Sequence, residues 1–146
     1  MCEYNKSCAD EIDFTMAEQM HAAALQISKT CFDLKKLCVT FLGASMVLLI
    51  KLTDDKVDHS LFVVGLILIK GFWISDATAY FYQRSLRVKI DAKLLEISQR
   101  NNGDESGDAT KVGACGALFN PSMTLYYVLA ILYLGGWFGY IGGWIG

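Results

Sequence analysis

Charge is missing from two stretches of the chain and nearly missing from a third. Residues 112–146 hold 35 positions without a charge and 37–50 another 14, while 60–83 carry only Lys70 and Asp76 in 24 positions. A helix in water needs polar side chains on its outer face at every turn, so these runs predict helices surrounded by apolar material. The first predicted span is 34–52, 19 residues or ~28 Å at the helical rise, with Lys35, Lys36 and Lys51 at its ends. The second is 61–83. The third is 121–145, which Asn120 as cap and Pro121 as first helical residue introduce.

Outside these runs the period changes to that of a half-wet helix. Ser7 or Asp10 suits a helix start, with Glu11 and Asp13 in the first turn. Ala17, Met20, Ala24, Ile27 and Cys31 then share one face, opposite Glu18, Gln19, Gln26 and Lys29. Past the second span, Leu86, Ile90, Leu94 and Ile97 continue an apolar stripe, and Glu96 and Arg100 have the spacing of an i,i+4 pair. One helix of about 40 residues is expected there, because no Pro or Gly-rich break intervenes. It should stop at Asn101-Asn102-Gly103, before an acidic loop at 104–108. Four regions follow: an amphipathic helix over 1–35, a transmembrane hairpin over 36–83, a helix and acidic loop over 84–111, and a glycine-rich third span within 112–146. The expected fold is all-α, an integral membrane protein with three transmembrane helices and cytosolic extensions paired as an antiparallel hairpin.

Basic residues set the expected orientation. Lys29, Lys35 and Lys36 precede the first span, and Arg84, Arg87, Lys89, Lys93 and Arg100 follow the second. The connection between them has Lys56, with Lys51 at its border. The positive-inside rule then puts the N-terminus in the cytoplasm and the C-terminus outside. Composition adds little to this picture: of 146 residues, 53% are apolar and the net charge is -2, which gives no basic face for nucleic acid. Cys2, Cys8, Cys31, Cys38 and Cys115 form no Cys-x-x-Cys pair and read as reduced thiols packed as small hydrophobes. The acidic first 36 residues do not read as a signal peptide.

Candidate chemistry is confined to the spans. Lys70 and Asp76 lie six residues apart on different faces of one helix, some ~9 Å from each other, so each must look to another helix or to water. Ser75, Thr78 and Tyr80 suit the same polar lining, whether for an interhelical bond or an ion path. Gly135, Gly139 and Gly143 repeat every four residues and suit close helix contact, within the chain or between copies. Trp137, Tyr140 and Trp144 read as interfacial anchors. No catalytic set, cofactor loop or metal cluster emerges, and His21 reads as a surface residue.

Ser28 to Lys35 leading into the first span, and Phe72-Trp73-Ile74-Ser75-Asp76-Ala77 followed by Arg84, Arg87 and Asp91, resemble small bacterial two-transmembrane effector-like proteins of the SLATT type. These are found beside nucleotide-signalling and phage-defence genes. The resemblance implies an oligomeric inner-membrane effector, pore-forming or depolarising, held by cytosolic helices that include Arg84 and Arg87 until a cytosolic sensor or signalling partner triggers it. The alternatives are a non-conducting scaffold that docks a cytosolic partner, and a holin-like lysis protein.

Overall fold

The computed structural model describes residues 7–53, 56–100 and 114–144, and the acidic loop expected at 104–108 lies outside them. Every regular element among the described residues is helical. They are α1 (Cys8–Leu52), α2 (His59–Arg100), the short α3 (Ala114–Leu118), a 3₁₀ turn (Pro121–Met123) and α4 (Thr124–Ile141). Two helices, His59–Arg100 and Pro121–Ile141, are long and apolar enough to cross a membrane.

The first helix starts where the sequence places it. The Ser7 hydroxyl accepts from the Asp10 N–H while the Asp10 carboxylate accepts from the Ser7 N–H, which closes a capping box. The helix then runs unbroken for 45 residues, ~67 Å, and its partner α2 for 42. They lie antiparallel as one long hairpin. Buried positions recur every seventh residue on both: Asp10, Ala17, Ala24, Cys31 and Cys38 on α1, and Phe62, Ile69, Asp76, Gln83, Ile90 and Ile97 on α2. A seven-residue repeat is the mark of a supercoiled pair, in which slight under-winding keeps one seam closed. Small residues on α1 face larger ones on α2, which lets the helices approach closely.

This repeat corrects one expectation. Ile90 and Ile97 are in the seam, but Leu94 is 43% exposed. A heptad seam keeps two positions in seven, here that of Ile90 and the one three residues on, so Leu94 turns outward. Lys93 and Arg100 therefore border the seam opposite Asp13, where apolar contact was expected. The pair expected between Glu96 and Arg100 side chains is also replaced: Lys93 holds Glu96 at 2.7 Å, and Arg100 reaches across to Asp10 at 3.3 Å and to Asp13.

The last helix lies along the connection half of the hairpin. Asn120 caps the 3₁₀ turn, its side-chain oxygen accepting from the Ser122 N–H, with Pro121 at the first position as expected. The core joins Cys38 and Leu42 of α1, Ile69 and Ala77 of α2, and Met123 and Tyr126 at the start of the third segment. From there α4 runs antiparallel to α2 until Trp137 Nε1 donates to His59 Nδ1 at 3.1 Å and Tyr140 meets the His59 ring edge-on. The close approach depends on Gly65, where a methyl group would overlap the Tyr133 ring. Within α4 only Tyr126 is buried. Ile131, Leu132, Phe138 and Ile141 point outward at 60–71% exposure, so one side of this apolar helix meets nothing in its own chain.

Candidate functional site

Two groups of polar side chains stand within the apolar half of the molecule, one turned inward and one outward. The inward group is built where all three long segments meet. The Asp76 carboxylate, fully buried on α2, accepts from the Lys35 ammonium of α1 at 2.6 Å. The same ammonium lies 3.3 Å from the Ser122 hydroxyl at the entry to α4. Cys31 of α1 and Tyr126 of α4 both lie against the same carboxylate. Burial, reinforced by Asp76, pushes the Cys31 thiol up to about 11, so it stays a neutral S–H group. The second carboxylate oxygen and the Tyr126 hydroxyl are buried without a hydrogen-bond partner of good geometry.

Beside this node, the Leu118 carbonyl of α3 accepts from Trp73 Nε1 at 3.3 Å and from the Tyr127 hydroxyl at 2.9 Å. The first bond fastens α3 to the hairpin next to Asp76, and the second ties it to α4. The partner of Asp76 is thus Lys35 on another helix, as the sequence requires, rather than either of the first span's hydroxyls at Thr40 and Ser45. Thr40 and Ser45 instead turn their hydroxyls to backbone carbonyls of their own helix. A signal for Lys35 was present: Lys35 and Asp76 stand equally far from the middle of the connection, so an antiparallel hairpin makes them level.

The outward group is different. Lys70, Ser75 and Thr78 are exposed. Gly71, Ser75, Thr78 and Tyr82 follow one another at helical steps along the open side of α2, while Lys70 stands about 100° round the helix from Gly71, nearer the exposed Val63, Ile67 and Ile74. Thr78 donates to the Ile74 carbonyl of its own helix at 2.8 Å, and a methyl group at Gly71 would meet nothing within 4 Å. Ile67 and Ile74, on the same side, are 63% and 56% exposed. Among the described residues nothing pairs with Lys70. The fold therefore separates the five polar candidates of the second span, since Tyr80 is half-buried against the core, under the Arg84 guanidinium at 5.9 Å.

The remaining candidates are placed as follows. Arg84 and Arg87 are exposed. Gly135 opens outward with free space around it. Gly139 lends its carbonyl to the Trp144 N–H, and Gly143 donates to Tyr140 with φ at 71°, which together form a glycine-terminated helix end. A glycine at 143 is thus accounted for by its backbone. The neighbouring Gly136, absent from the predicted stripe, is the one that faces Phe62. At the far end of the hairpin, Arg100 holds the Asp13 carboxyl below its ordinary value, with Lys93 adding to the effect. No group of His, Cys, Asp and Glu among the described residues is arranged to hold a metal ion. Comparison with family models, with curated proteins and with solved structures finds no match for the chain.

Proposed function

We propose that this chain is an oligomeric effector of a bacterial inner membrane whose copies assemble through the outward side of α2 into a water-containing pore. One observation carries this reading, the position of Lys70. It is exposed and unpaired among the described residues, in the middle of an apolar side. It lies ~9 Å from the level of the Lys35–Asp76 pair and ~13 Å from Leu61, farther in either direction than a ~6 Å lysine stem reaches. A charge left against lipid at such a depth costs about 2.5–3.5 kcal/mol on insertion scales. Packing Gly71, Ser75 and Thr78 of several copies around water removes that cost. Small and hydroxyl-bearing side chains suit such contacts.

In this reading 34–52, 61–83 and α4 cross the bilayer. The N-terminus and the salt-bridged hairpin end lie in the cytoplasm, and the connection and the end of α4 lie outside. The resemblance to SLATT-type proteins supports a role in defence, with depolarisation as the outcome. Flux of ions into liposomes containing the purified chain tests the proposal. Flux from assembled copies, reduced in Lys70→Leu, is expected. A monomeric chain that leaves liposomes sealed contradicts it.

A second reading, a scaffold for a cytosolic partner, is favoured by the exposed Ile12, Met16, Leu25 and Phe32 on the water-side half of α1. It requires that substitutions there, and not at Lys70, abolish function while liposomes stay sealed.

A further inference from the structure

We infer that the pore selects for small inorganic anions, with Lys70 as the residue that sets the selectivity. The inference rests on the pore reading above and specifies the ion for the same site. Across 34–52, 61–83 and 121–145 the sequence contains a single carboxylate, Asp76. That carboxylate is turned inward, fully buried, and already holds the Lys35 ammonium. No carboxylate in the band is therefore available to the outward side of α2.

Lys70 is the charge that remains there. Copies arranged around that side contribute one ammonium each at one depth, with no acid to cancel them. Rings of Lys or Arg attract anions and repel cations. The cytoplasmic approach is net positive as well, since Arg84, Arg87 and Lys89 are exposed beyond that end of α2 against one exposed acid in that stretch, Asp91. A low-dielectric wall strengthens the field of such charges at the narrow part.

The test is the reversal potential of the full chain in a planar bilayer between two potassium chloride solutions of about tenfold different concentration. Wild type should reverse on the chloride side. Lys70→Gln should move the reversal potential toward zero, Lys70→Glu should carry it to the potassium side, and Lys70→Arg should restore the chloride preference. A wild-type current that favours potassium or is unselective overturns the inference and leaves the pore reading standing, whether or not the variants fold. Unchanged chloride preference in Lys70→Glu overturns the assignment to Lys70. Absence of any current overturns the pore reading and this inference with it.

Discussion

At the scale of single residues, the Lys35–Asp76 pair is the contact whose loss should matter most to the fold. Both side chains are removed from most of the solvent, and removing one partner leaves the other as an uncompensated charge, at a cost of about 3–5 kcal/mol. Asp76→Asn or Lys35→Met should each lower stability to denaturation in detergent by roughly that amount. The double variant Lys35→Met with Asp76→Leu should recover most of the loss, because a buried pair contributes little more than apolar replacements of similar volume. A double variant as unstable as the sum of the singles would show that the two residues act independently. Cys31 offers a second check. Its thiol is buried and pushed up to about 11, so at neutral pH it should resist alkylation in the folded protein while the exposed Cys8 reacts. The importance of Asp76 was legible as an unmatched charge in an apolar run. Its partner was not, because Lys35 sits at a span border, where a lysine is explained equally well as an interfacial anchor.

At the scale of helices, what the sequence made plain was length and polarity, and what it concealed was register. The caps at Ser7 and Asn120 and the unbroken α2 follow from local chemistry that acts within four residues. The seven-residue seam follows only in part: Ala17, Ala24 and Cys31 share the expected face and Ile90 and Ile97 the expected stripe, but Asp76 and Gln83 are polar and do not stand out as its continuation. Two predictions belong here. Gly65→Val should detach α4 from the hairpin, since the added side chain would occupy the space of the Tyr133 ring. Gly71→Val should leave the single chain folded, as that position is open, and should weaken assembly instead. Circular dichroism in detergent, read beside sizing of the assembly, separates the two effects. The clasp at the hairpin end supplies a pH dependence. Arg100 and Lys93 depress the Asp13 carboxyl, so its contribution is complete above the ordinary carboxylate range. It is lost as pH falls through the lowered value, below about pH 4. Amide exchange near residues 8–14 and 93–100 should rise in acid. Asp13→Asn should raise it at neutral pH and lessen the acid dependence, with Asp10 still paired to Arg100.

At the scale of the whole molecule, the helices leave much of their apolar surface unused. Within α4 a single residue is buried, and α2 turns Ile67, Ile74 and Lys70 outward together. The all-helical class could be read from the charge-free runs, because backbone groups away from water need helical pairing. Which face of α2 each polar residue takes could not be read, since it depends on the rotation fixed jointly by α1 and α4. Labelling of a single cysteine introduced at Val57 should succeed from outside intact cells, and labelling at Arg87 should fail there. The reverse pattern would invert the proposed orientation. The central claim is that the Gly71, Ser75 and Thr78 side of α2 faces water between copies, and spin labels in liposomes address it directly. Labels at 71, 75 and 78 should be relaxed by a water-soluble nickel chelate and broadened by labels on neighbouring copies, while labels at Ile131 and Phe138 respond to lipid-dissolved oxygen. Oxygen-dominated relaxation at all five positions, with no broadening between copies, would place that side of α2 against lipid and contradict the claim.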